Sequence, residues 1–142
     1  MNIERWAHLV PELSCSNFVA SLAFYRDALG FSVRYVRPEN NFAYLELGEA
    51  QLMLEQENNH WLTDDLVRPY GRGMNLQIEV DDVESLRDRL IACEVSLFRE
   101  LTTTWYRQGD IKHGQREFLV QDPDGYLLRF CQFLGVCPLT GE

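Results

Sequence analysis

Two stretches of the chain carry apolar residues at helical spacing. In "NFVASLAFYRDALG", residues 17–30, Val19, Leu22, Ala23 and Leu29 fall near one stripe. Asn17 is placed to cap the start of this helix and Gly30 to end it. In "DDVESLRDRLIAC", residues 81–93, the stripe is Val83, Leu86, Leu90 and Ile91. Asp81 followed by Glu84 resembles a capping box there. Other stretches read as strands. "HLVPEL" precedes the first helix, and its Pro11 argues for an edge position or a bulge. "FAYLEL" and "QLMLEQ" follow, separated by "GEA". "MNLQIEV" alternates cleanly, with Met74, Leu76, Ile78 and Val80 on one face and Asn75, Gln77 and Glu79 on the other. "REFLVQ" and "YLLRFCQF" are joined by the hairpin signal "DPDG". Residues 56–73 read as a linker and residues 100–116 as a second long loop.

The order strand, helix, three strands occurs twice. "VASL" at 19–22 and "VESL" at 83–86 open the two helices, so a module of about 55 to 60 residues is duplicated. The boundaries are about 7–57 and 74–134, with a linker over 58–73 and a C-terminal tail over 135–142. The fold class is α+β. One helix per four strands covers only one face of each sheet and leaves the other to line a cleft. On the uncovered faces the alternation puts Glu12, Ser14, Phe42, Tyr44, Glu46, Gln51, Met53, Glu55, Asn75, Gln77, Glu79, Leu127, Arg129 and Cys131. Arg129 is the odd member, one permanent charge inside the apolar run "YLLRF". A guanidinium there needs a partner or a wet cavity, and carboxylate neighbours supply the partner.

Charge narrows the ligand. Twenty-two acidic residues against 13 Lys plus Arg give a net charge of −9. Such a chain is a poor match for nucleic acid, which needs a basic face, and favours neutral or cationic small molecules. The four cysteines form no CxxC pair and have no zinc spacing, so they read as reduced and mostly buried. "MNIERWAHLVPEL" has no apolar signal core, and no run approaches the ~20 apolar residues of a membrane span. The expected address is the cytoplasm. There is also no G-x-S-x-G and no Cys/His spacing that recommends a dyad.

Three motifs in order, "SLAFYRDALGF" at 21–31, "QIEVDDV" at 77–83 and "DPDGYLLRF" at 122–130, resemble the vicinal oxygen chelate superfamily. That superfamily includes glyoxalase I, extradiol dioxygenases, and fosfomycin- and bleomycin-resistance proteins. The resemblance runs from about residue 7 to 134. It implies paired βαβββ modules forming a U-shaped mixed sheet around a cleft, helices outside, usually in a dimer. Its enzymes hold a divalent metal on a His or Glu of the first strand, a His opening the fifth and a Glu on the last. Those positions fall on Val10, Asn75 and Arg129. Valine cannot ligate, Asn is weak, and Arg repels a cation. A substitute set from His8, Glu12, Glu55, Glu117 and the loop residue His113 is the route to a metal-dependent glyoxalase- or dioxygenase-like enzyme.

"VPELSCSNFVASLAFYRDALGF", "LMLE" at 52–55 and "QDPDGYLLRFCQ" at 121–132 are more similar to the metal-free bleomycin-resistance branch, whose last strand also carries Arg. This resemblance implies a homodimer that sequesters a cationic, aromatic glycopeptide antibiotic at the subunit interface, with no cofactor and no catalysis. The expected contacts are Phe42, Tyr44, Glu46, Glu55, Trp61, Asn75, Glu79, Trp105, Tyr106, His113 and Arg129. His113 stands where drug-binding relatives can carry Trp, which leaves a different small molecule as the alternative ligand.

Overall fold

The structure, a computed structural model, describes residues 4–139. The last three residues of the expected tail lie outside the described residues. Two compact units divide the chain. The first holds the described residues through Tyr70 together with Pro123–Gly125, and the second holds Gly71–Asp122 and the described residues from Tyr126 onward.

In the first unit, β1 (Glu12–Cys15) leads into α1 (Phe18–Ala23), and β2 (Ser32–Arg37), β3 (Phe42–Leu47) and β4 (Ala50–Gln56) follow. The sheet order is β1-β4-β3-β2, with β1 parallel to β4 and the rest antiparallel. Asn17 caps α1 as expected, its side chain accepting from the Ala20 N–H at 3.1 Å. The helix does not continue regularly to residue 29. From Phe24 to Ala28 it widens into a π-turn, with Leu29 N–H donating to Phe24 C=O at 3.0 Å. Gly30 then turns the chain at φ +88°. The buried stripe is Ser21, Tyr25, Ala28 and Leu29, and Val19 is 76% exposed. Of the expected stripe Leu29 is buried, Leu22 and Ala23 are half-buried, and only Val19 lies on the exposed side. Tyr25 and Leu29 carry larger buried area than Val19, and the small Ser21 lets α1 approach β4. Under α1 lie Leu13, Cys15, Ala43, Leu45, Leu52 and Leu54. Each large member contributes about 1.5–3 kcal/mol by leaving water.

The second unit repeats the order with β5 (Leu76–Glu79), α2 (Val83–Ala92), β6 (Arg99–Gln108), β7 (Ile111–Gln121) and β8 (Leu127–Pro138). Its sheet order is β5-β8-β7-β6, and β5 is parallel to β8. Asp82, not Asp81, caps α2, accepting from Ser85 N–H at 3.1 Å. Glu84 instead meets Arg116 at 3.1 Å. Val83 and Leu90 are buried on Phe118, Val120, Leu128 and Phe130, while Ile91 is half exposed. The segment 100–116 is not a loop. It is the β6–β7 hairpin, paired from Arg99↔Leu119 to Gln108↔Ile111 around a two-residue turn. Residues 135–138, assigned above to a tail, extend β8 and pair with Ile111–Gly114.

The two units therefore each have a four-stranded mixed sheet with one helix on one face, as the duplicated pattern requires.

Candidate functional site

The helix-free face of each sheet is where chemistry-bearing side chains collect. In the first unit the register puts Phe42 opposite Glu55, Tyr44 opposite Met53, and Glu46 opposite Gln51. Phe42 and Tyr44 are buried on this face. Tyr35 stacks on Tyr44 at 5.4 Å, Trp6 meets Tyr44 edge-on at 5.0 Å, and the Arg37 guanidinium lies 4.1 Å over Phe42. Arg34 lies 4.6 Å from the Trp6 ring and pairs with Glu46 at 2.9 Å. Gln51 fixes the strap that carries Trp6, accepting from Ala7 N–H at 2.8 Å and donating to Arg5 C=O at 2.9 Å. The aromatic positions of this face are thus already covered by the unit's own cations and Trp6. Glu12 and Glu55 share the face. Burial, then the Glu55 charge, raise the Glu12 carboxyl above its ordinary range against the pull of Arg37. Glu55 accepts from Asn58 at 2.7 Å, and Trp61 is 71% exposed beside His60.

The second unit's face is built differently. Hairpin β7–β8 sets Leu119 opposite Arg129 and Glu117 opposite Cys131, and β5 adds Gln77 beside Arg129. Glu117 is 6% exposed, a rare position for a carboxylate. Tyr106 donates its hydroxyl to Glu117 Oε1, and Arg129 Nε stands 3.8 Å from Glu117 Oε2. Arg129 also donates through Nη2 to Gln77 Oε1. The bond to Glu117, and then burial, hold the Tyr106 phenol above its ordinary value. Burial, reinforced by Glu79 and Glu117, likewise pushes the Cys131 thiol up. His113 faces Tyr106 across the hairpin, ring centroids 5.8 Å apart, and reaches Phe133 at 6.5 Å.

Of the sequence-derived contacts, Tyr106 and Arg129 come together around Glu117, and His113 lies farther along β7 against Tyr106. Asn75 and Glu79 are exposed on the β5 edge. Trp105 alternates to the opposite face from Tyr106 and lies across Gly114, where an added Cβ would meet its ring at 2.8 Å. Gly114→Ala is therefore expected to displace the indole, alter the tryptophan fluorescence and cost about 1 kcal/mol. An unchanged spectrum and melting temperature would argue against the contact. Glu117 and Gln77 are the members of this cluster missing from the expected contact set. The signal for Glu117 was the hairpin: counting back through "DPDG" from Arg129 lands Leu119 opposite it and Glu117 next on the same face, while alternation in "MNLQIEV" had already put Gln77 there.

The family-implied metal positions do not suit a divalent ion. Val10 offers no donor, Asn75 one neutral amide oxygen, and Arg129 a cation engaged with Gln77 and Glu117. Among the described residues no group of three or more His, Cys, Asp or Glu is arranged to hold a metal. No described helix is long and apolar enough to cross a membrane.

The model of the Glyoxalase/Bleomycin resistance protein/Dioxygenase superfamily matches residues 5–130. No curated protein matches. Among solved structures, the chain is similar to a glyoxalase/bleomycin resistance protein/dioxygenase superfamily member from Vibrio splendidus 12B01, at 39% identity over 88% of this chain and 97% of that one, TM-score 0.41. It is similar to a protein of unknown function from Agrobacterium tumefaciens, at 25% identity over 93% and 98%, TM-score 0.66. TioX from Micromonospora sp. ML1 shares the fold at 21% identity over 89% and 95%, TM-score 0.65.

Proposed function

Because the chain belongs to the glyoxalase/bleomycin resistance protein/dioxygenase superfamily, we propose that it is one of the superfamily's metal-free binding members and sequesters a small molecule without modifying it. One observation carries this reading. Arg129 occupies the slot that the catalytic members fill with a metal-ligating Glu, and its charge is committed to Glu117 and Gln77. A divalent ion within ~4 Å of that guanidinium would meet a repulsion of roughly several kcal/mol. The slot is built to hold a polar group in place, with no donor set to activate water or a carbonyl.

The ligand of the bleomycin-resistance branch fits the chemistry of the chain. A flat, cationic glycopeptide suits a net charge of −9 and a β6–β7–β8 surface with Tyr106, His113 and Phe133 on it. The ligand would be shared by two copies of the chain, acting without a cofactor in the cytoplasm. Isothermal titration with bleomycin is expected to give saturable heat at one drug per chain, in a complex of dimer size by light scattering. No heat and no thermal shift at high micromolar drug would remove bleomycin as the ligand.

A further inference from the structure

We propose that the β7–β8 face recognises a planar ring bearing an uncharged primary carboxamide, or the equivalent lactam edge. This rests on the reading above, that the second unit's sheet face binds a small molecule, and names the group it selects. Three polar atoms here are buried without a hydrogen-bond partner: Gln115 Oε1, Glu117 Oε2 and Arg129 Nε. Glu117 is the telling one, because its side chain is only 7% exposed while one carboxylate oxygen has no donor. Native proteins rarely leave such atoms unmatched unless something else supplies the partner.

Arg129 Nε and Glu117 Oε2 are a donor beside an acceptor, and Gln115 Oε1 is a second acceptor on the residue one step along the same face of β7. Arg129 Nε and Glu117 Oε2 stand 3.8 Å apart, too far for a hydrogen bond to each other. The nitrogen and oxygen of one carboxamide are about 2.2 Å apart, from their bond lengths to the shared carbon. Its N–H can donate to Glu117 Oε2 while its C=O accepts from Arg129 Nε, the two bonds spreading slightly. The second N–H of a primary amide is then free for Gln115 Oε1. A cation would match the acceptors but face Arg129 with like charge. A carboxylate would match Arg129 but face Glu117. Residues 113, 115 and 117 point to one face of β7 at steps of about 6.8 Å. A ring attached to the amide therefore extends one step, past Gln115 onto Phe133, the residue paired with Gln115 on β8. Arg129 is 30% exposed through its other atoms while Nε is covered, so the amide enters from that side by shifting the guanidinium.

Matched probes test the claim: benzamide, benzamidine and benzoate, titrated into the whole chain and followed by amide NMR. Benzamide is expected to shift residues 113–119 and to bind about fivefold or more tighter than the other two. Glu117→Gln and Gln115→Ala should erase that preference, and Phe133→Ala should weaken all three alike. Gln115 is only half-buried, so its variant keeps the question answerable if Glu117→Gln fails to fold. A preference for benzamidine overturns the proposal in favour of a cation. Equal binding of all three, unaffected by either variant, overturns it while leaving the binding function standing. Failure of the binding function itself would appear separately, as no probe shift on this face together with no heat from bleomycin.

Discussion

Asp124→Ala is expected to destabilise the protein by about 3 kcal/mol, read from the midpoint of urea unfolding at unchanged m-value. Asp124 is 1% exposed in the "DPDG" turn and is the anchor of that turn in the first unit. Its carboxylate accepts from Ser16 N–H at 3.1 Å, from the Ser16 hydroxyl, and from Arg68 Nη2 at 2.8 Å. The backbone adds Tyr70 N–H donating to Asp124 C=O at 2.9 Å and Arg68 Nη1 donating to Pro123 C=O at 2.9 Å. The Arg68 side chain is 58% exposed, so its ion pair is screened and contributes less than the bonds to Ser16. Alanine strands the Ser16 N–H and leaves the Ser16 hydroxyl only the Arg68 Nη2 that donates to it at 2.7 Å. Asp124→Asn keeps the shape but offers a single acceptor oxygen, and its loss should be intermediate. A change below 1 kcal/mol for Asp124→Ala would mean the turn is not held this way.

Arg129→Met is the second large effect, expected at about 2–3 kcal/mol. Removing the guanidinium leaves the Glu117 carboxylate with only the Tyr106 hydroxyl, at 6% exposure. The value falls below that of a fully enclosed pair because Arg129 keeps 30% exposure and the Nε–Oε2 contact is long, at 3.8 Å. The double variant Arg129→Met/Glu117→Leu removes both charges and should recover most of the loss, giving a coupling energy above 1 kcal/mol in the cycle. Additive losses would show that the two side chains do not act as a pair.

How far the sequence led depends on which side of each element carried the signal. "DPDGYLLRF" was fully legible: a hairpin turn, Leu128 and Phe130 buried beneath α2, and Arg129 on the opposite face. Alternation in "MNLQIEV" likewise matched β5 over Leu76–Glu79, while Met74, expected on its apolar face, lies before the strand and is exposed. The β6–β7 hairpin was hidden because "TTTWYRQGDIKHGQ" is polar on both faces, so period-two alternation has nothing to report. Its β-branched and aromatic residues were the remaining clue. The buried side of this first helix was legible only in part, because Val19 outweighs Ser21 on hydropathy, whereas the side chains fully enclosed there are Ser21 and Tyr25 with Leu29. Phe42 and Tyr44 were placed on the helix-free face, but only three-dimensional structure shows Trp6, Arg34 and Arg37 spread over them. Those partners come from a strap and from β2, a strand the hydrophobic pattern does not single out. Glu117 needed the hairpin register combined with burial, and burial of a carboxylate leaves no mark in sequence.

In the proposed function Arg129 stands where the catalytic members carry a metal ligand, and the face holds a small molecule without a metal. Elemental analysis of the purified, untagged chain tests it most directly. The expected result is no Ni, Zn, Mn or Fe at stoichiometric level, before or after incubation with each ion and removal of the excess. One equivalent of any of these metals per chain would contradict it.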